Sequence, residues 1–149
     1  MAATEAVLGY QSILSRENTA VSPPVFVAVA EVRKISNVGV KRGLVEVTHM
    51  ESPEATKEYI GTLKDGVEIS VMCNCLMDAT QTGLIDDVDS GVARNFTLDL
   101  AEETASSPST ALAQITFTAL VLGWEISPDP NAPLEITFTM KITGPVEIT

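Results

Sequence analysis

The feature that most constrains this chain is a two-residue period that returns three times. From Val67 to Cys75, Val67, Ile69, Val71, Cys73 and Cys75 alternate with Glu68, Ser70, Met72 and Asn74. Ala113 to Val121 repeats the pattern until Leu120 and Leu122 break its polarity, and Leu134 to Thr143 repeats it again. Successive side chains on a strand leave opposite faces, so each run predicts a strand with one buried and one polar face. The two later runs exceed the usual five or six residues, which suits a wide antiparallel sheet.

Between the first run and Phe96-Thr97-Leu98-Asp99-Leu100, the period changes. Asp78 or Thr80 can cap a helix, Ala79, Leu84, Ile85 and Val88 recur at helical spacing, and Ser90-Gly91 supplies a stop. Gly83 weakens this helix by about 1 kcal/mol relative to alanine, so packing on a sheet must hold it. The expectation is a mostly β antiparallel sandwich or barrel-like sheet with one short flanking helix over about 78–90.

The rest is read around that unit. Residues 1–24 are expected to form an N-terminal arm, since Gly9, the polar run Ser15–Thr19 and Ser22-Pro23-Pro24 break any pattern, and 25–149 to form a single domain. Phe26–Ile35 predicts a strand that turns over Asn37–Gly43 and returns as Gly43–Thr48. Thr48–Thr62 has no period and is long for a link between strands. Ala101–Thr110 and Trp124–Pro133 read as a polar loop and a turn. A chain of 149 residues can bury roughly 70% of its unfolded surface, so a core needs neither metal nor disulfide.

Charge and composition exclude more than they assign. A formal net charge of −11 argues against a sequence-independent grip on nucleic acid or an anionic membrane. Neither a charged-then-apolar leader nor a run long enough to span a bilayer is visible, and no membrane partner is expected. Cys73 and Cys75 leave one strand face in parallel, poorly placed for a disulfide, and read as reduced core residues. With one histidine, His49, the chain lacks partners for a C-x-C metal site or a catalytic triad. Gly61 and Gly66 have phosphate-loop spacing, but Val67 stands where lysine is needed. Asp86, Asp87 and Asp89 lack the offsets of a calcium loop and read as a solvated helix face. No enzyme, cofactor or metal is expected.

What remains is assembly chemistry. Long Thr-rich strands with few lysines leave unpaired backbone at sheet edges, which a neighbouring subunit can continue. Arg33, Lys34, Lys41 and Arg42 cluster around the first predicted turn without interleaved aromatics, a pattern for a protein partner. In Thr48–Thr62, the anchors Met50, Tyr59 and Ile60 stand among Glu51, Glu54, Lys57 and Glu58, and this segment is the expected joint between subunits, with His49 and Pro53 part of it. Glu68 and Glu135 are outward acids of the sheet.

In this order the chain resembles a bacteriophage major tail tube protein of long non-contractile tails. The resemblance rests on Pro23–Val32, Val45–Pro53, Tyr59–Gly66, Ser90-Gly91 before Arg94–Phe96, and Lys141–Pro145, and runs over roughly Gly9–Pro145. It implies hexameric rings stacked into a tube around a tape-measure protein, with terminator and distal tail proteins at the ends and the genome passing through the bore without specific binding. Glu68 and Glu135 are then candidates for the bore wall. It also implies a place in the virion tail after assembly in the host cytoplasm, and kinship with inner tubes of contractile tails and type VI secretion. The C-terminal immunoglobulin-like domain of some members is not seen, so outer-surface adhesion lacks support. A head–tail connector, or a stand-alone β-sandwich binding module, is the alternative.

Overall fold

The computed structural model describes residues 12–19, 22–104 and 107–149. Among them lie β1 (Ile13–Asn18), β2 (Val25–Ala28), β3 (Val32–Ile35), β4 (Val40–Glu46), β5 (Tyr59–Gly66), β6 (Glu68–Asn74), α1 (Ala79–Ser90), β7 (Arg94–Thr104), β8 (Ser107–Ser127), β9 (Glu135–Ile142) and β10 (Glu147–Ile148). Seven strands form one antiparallel sheet in the order β2-β1-β7-β8-β9-β6-β3, with β10 also paired to β8. The strands β4 and β5 make a separate hairpin.

The two edge strands of the large sheet, β2 and β3, are separated in sequence only by residues 29–31. Four Cα steps span about 14 Å at most. The sheet must therefore curl until its edges approach one another, which makes it barrel-like. Its inner face carries Ile69, Val71 and Cys73 from β6, Phe96 and Leu98 from β7, Phe117, Ala119 and Val121 from β8, and Ile136, Phe138, Met140 and Ile142 from β9, all buried. Phe96 and Phe117 are direct cross-strand partners with stacked rings, centroids 5.8 Å apart. Removing each large side chain from water contributes about 1.5–3 kcal/mol. The mostly β architecture with one flanking helix is the one expected from the alternating runs.

The polarity break in β8 has a mechanical cause. The register shifts between Val121 and Gly123, so Leu122 bulges outward and the phase resets. Trp124 and Ile126 then stand opposite Phe138 and Ile136, yet both remain exposed.

Helix α1 begins and ends close to where its caps predict. Asp78 accepts from the Gln81 N–H at 3.0 Å, and Gly91, at φ 66°, donates to the Asp87 carbonyl. Its buried residues are mostly polar: Thr80, Gln81 and Asp87 join Leu84. Gln81 is partnered at both ends of its amide, since Oε1 accepts from the Leu76 and Met77 N–H groups and Nε2 donates to the Asn74 carbonyl. This ties the helix start to the end of β6.

Several expectations need correction. Phe26–Ile35 is not one strand: Val29 turns inward, donating its N–H to the Leu14 carbonyl, and Glu31 sits at φ 48°, so β2 and β3 separate to opposite edges. The partner of β4 is β5, not the Phe26–Ile35 segment. Residues 59–62 of the supposed loop are strand, and β4 starts inside the supposed turn, at Val40. The segment read as an arm contains β1, whose Leu14 is buried and which pairs with β2 and β7; residues 1–11 and 20–21 lie outside the described residues. The polar loop at Ala101–Thr110 is strand to Thr104 and again from Ser107, with 105–106 outside the described residues. Asp87 is not solvated but buried, and its ion pairs compensate its charge.

Candidate assembly surfaces

The β4–β5 hairpin is the least ordinary part of the fold, because both of its faces are exposed along almost its whole length. A two-stranded ribbon has marginal stability by itself, so its base must be held. Gly66 is buried against Ile142, where a Cβ would lie 2.5 Å from the Ile142 side chain and 2.8 Å from its carbonyl oxygen; only glycine fits. The Val67 N–H bonds to the Gly39 carbonyl, and Lys141 Nζ donates to the Gly66 carbonyl while pairing with Asp65 at 3.3 Å.

Beyond that base the ribbon shows solvent an apolar set: Leu44 is 69% exposed, Ile60 55% and Leu63 90%, with Val45 and Tyr59 beside them. Val45 faces Ile60 directly across the two strands. Nearer the base, Arg42 faces Lys64, and like charges placed directly opposite are unfavourable in a sheet. Arg42 turns partly aside, lying along Gly61 and donating to the Thr62 carbonyl at 3.3 Å.

The connecting loop, 47–58, carries its own hydrogen-bond network. Glu58 donates its N–H to Thr48 Oγ1 at 2.9 Å and accepts from the Val47 N–H at its carbonyl. Its carboxylate accepts from Ser52 Oγ at 2.6 Å, and Ser52 Oγ accepts from the His49 N–H at 3.0 Å. His49 Nδ1 accepts from the Glu51 N–H, and His49 Nε2 lies 3.5 Å from the Glu58 carboxylate. After Pro53, Glu54 and Ala55 take positive φ values of 53° and 55°. Met50 projects into solvent.

The residues singled out by sequence fall in two places. His49, Met50, Glu51, Pro53 and Lys57 belong to the loop, Tyr59 opens β5, and Lys41 and Arg42 lie on β4. Arg33 and Lys34 lie elsewhere, on edge strand β3, and Arg33 is ion-paired with Glu135. Glu68 is exposed on β6 opposite Lys141. Lys64, which completes the basic hairpin base, escaped the sequence grouping because Arg42 and Lys64 meet only through the β4–β5 pairing. Cys73 is buried, and burial, with a smaller push from the Asp78 charge, raises its thiol to about 11; Cys75 is half-buried. Among the described residues no group of three or more His, Cys, Asp or Glu side chains is arranged to hold a metal ion. No helix among them is long and apolar enough to cross a membrane.

No family model and no curated protein matches the sequence. The fold does have solved counterparts. It is similar to a chain in the tail of an empty gene transfer agent particle refined with C6 symmetry, at 16% identity, with 97% of this chain and 99% of that chain covered and a TM-score of 0.75. It is similar to a chain in the six-fold symmetrised baseplate of the anti-feeding prophage, at 15% identity, 99% and 97% coverage and a TM-score of 0.77. The SPP1 tail tube, at 13% identity, aligns over 97% of this chain and 79% of that chain with a TM-score of 0.68. At these identities the common property is the fold.

Proposed function

We propose that this protein is a structural subunit of a phage-like tail tube, closing with further copies into hexameric rings that stack into a conduit for a genome. The observation that carries this reading is a curled sheet ending in two uncovered edges, β2 and β3, together with a hairpin exposed on both faces. Open edges template further strands, and a closed ring of copies removes them. The fold shared with chains of six-fold tail and baseplate assemblies supports the same reading, with six copies to the ring.

In this reading β3, with Arg33 and Lys34, belongs to the seam between neighbours in a ring. The hairpin and its loop, including Lys41, Arg42, His49, Met50, Glu51, Pro53, Lys57 and Tyr59, form the joint that fixes register. A net charge of −11 keeps DNA sliding rather than sticking, with Glu68 and Glu135 on the wall of the bore. A tape-measure protein fills the bore during assembly in the host cytoplasm, and terminator and distal tail proteins close the ends. The protein acts in the virion tail, as a structural part and not as an enzyme.

Concentrating the purified protein tests this. Light scattering and negative-stain microscopy should show rings or tubes, alone or on preformed tube ends. A chain that stays monomeric in both settings is not a tube subunit.

A further inference from the structure

His49 is the only histidine of the chain, and histidine is the side chain that ordinarily changes charge between about pH 5 and 8. In the 47–58 loop its ring is engaged on both sides. Nδ1 accepts the Glu51 N–H at 3.2 Å, which requires a bare lone pair and places the ring proton on Nε2. Nε2 in turn faces the Glu58 carboxylate at 3.5 Å. The bond to Glu51 copies one that asparagine and aspartate make, accepting the N–H two residues on through the δ oxygen and so holding a turn. Histidine Nδ1 is attached to the same Cγ position and closes the same ring. Two further bonds bracket this turn: the Ser52 N–H to the His49 carbonyl at 3.0 Å, and the His49 N–H to Ser52 Oγ at 3.0 Å. At its tip Met50 is fully exposed. An asparagine would hold the tip at any pH, whereas a histidine acceptor is removed by a proton.

Protonation moves the two ring contacts in opposite directions. A proton on Nδ1 sets two N–H donors against each other, so the Glu51 N–H is released to water. The same proton charges the ring and draws Nε2 toward Glu58, whose carboxylate already accepts from Ser52 Oγ at 2.6 Å. The turn therefore opens at Glu51 while the neck tightens at Glu58. The backbone of the neck is closed by the Glu58 N–H on Thr48 Oγ1 and the Val47 N–H on the Glu58 carbonyl, bonds that involve no titrating group. The other ionisable residues around the ring are Glu46 and Tyr59, paired where the ribbon enters the loop, and Glu51, Glu54 and Lys57 within it. Among the described residues, Glu58 alone lies within ion-pair distance of the imidazole.

We propose that His49 is a proton-operated latch on the 47–58 loop. Neutral, it fixes the turn that presents Met50; protonated, it frees that turn and closes on Glu58. The latch works within one chain and needs no second copy, so it stands or falls separately from the tube reading.

NMR titration of the full chain between about pH 5 and 8 tests it. At the alkaline end the His49 ring should carry its proton on Nε2, with Nδ1 bare. On acidification the Glu51 amide resonance should move with the same midpoint as the ring. Its protection from solvent exchange, corrected for the intrinsic pH dependence, should fall about fivefold, the size of one neutral hydrogen bond. The Val47 and Glu58 amides should keep theirs. Carboxylates ordinarily titrate below this window, so the response belongs to the imidazole. His49→Asn keeps an acceptor for the Glu51 N–H and takes up no proton, so its Glu51 amide should stay protected throughout. Glu58→Gln removes the anion that favours the charged ring, so the ring midpoint should move to lower pH. Four results overturn the proposal: a Glu51 amide indifferent to the ring, a neutral ring protonated on Nδ1, a His49→Asn chain that responds like the wild type, or an unmoved midpoint in Glu58→Gln.

Discussion

Arg16 closes on Asp87 across 71 residues of sequence with two bonds, Nε to Oδ2 at 2.7 Å and Nη2 to Oδ1 at 2.8 Å. Arg94 adds a third, Nε to Oδ1 at 2.9 Å, and donates a further bond to Thr19 Oγ1. One carboxylate on α1 thus fastens the helix to β1 and β7 at once. The Asp87 side chain is 1% exposed, and the arginines are 14% and 23% exposed. Removing the anion leaves two partly buried cations facing each other, which is the expensive way to break a buried pair. Asp87→Asn should lower unfolding free energy by about 3 kcal/mol in urea titrations. A loss under about 1 kcal/mol would place the cluster with ordinary surface bridges.

The same arginine explains why the helix carries a glycine in its middle. A Cβ on Gly83 would lie 3.0 Å from Arg16 Nη1 and 3.1 Å from Cζ, and Arg16 is held by Asp87 and cannot give way freely. In an open helix Gly→Ala stabilises by about 1 kcal/mol. Here Gly83→Ala should gain nothing or lose stability. In an Arg16→Ala background the same change should recover the gain of about 1 kcal/mol. A thermal double-mutant cycle measures the coupling, and additivity between the two sites would refute it.

Cys73 offers a pH test. Burial raises its thiol from 9.0 to about 11, so the folded state favours the protonated form. The unfolded chain releases that proton at lower pH than the folded chain. The resulting stability is complete below about pH 9 and is lost as pH rises through about 11, so midpoints should fall across that window. Cys73→Ser should flatten the fall. In native protein at pH 8, maleimide should label half-buried Cys75 first and leave Cys73 until the chain unfolds.

Legibility in the sequence tracks burial on one face. The runs in β6, β8 and β9 were readable because apolar positions face the core and polar ones face water. The helix announced itself through Asp78 and Gly91. The β4–β5 ribbon was legible only in part, as a strand over Gly43–Thr48 with the wrong partner: with both faces in solvent, selection for burial imposes no period on it. The strand β1 hid behind Arg16, whose polarity serves Asp87 rather than water. The break between β2 and β3 hid inside one apolar run, since Val29 is as hydrophobic at a turn as in a strand. The loop candidates from His49 to Tyr59 could be grouped because they are contiguous, whereas Arg42 with Lys64, or Cys75 with Leu134, meet only through tertiary pairing.

Loop 47–58 is organised around one side chain, Glu58. Its backbone closes the neck of the loop on Thr48 and Val47, and its carboxylate holds Ser52 Oγ, which in turn holds the His49 N–H. These groups are largely exposed, so each bond contributes modestly to global stability. They do decide whether the loop is shaped before it meets a partner, and a preshaped loop loses less entropy on docking. Glu58→Gln keeps the neck but weakens the acceptor for Ser52; Ser52→Ala removes the relay to His49. Either should change global stability by less than about 1 kcal/mol while raising amide exchange at His49 and Ser52 several-fold. Association should slow in the same variants without change in the hairpin strands. Equal exchange in wild type and both variants would mean that the network does not shape the loop, and unchanged association would mean that the shape does not matter.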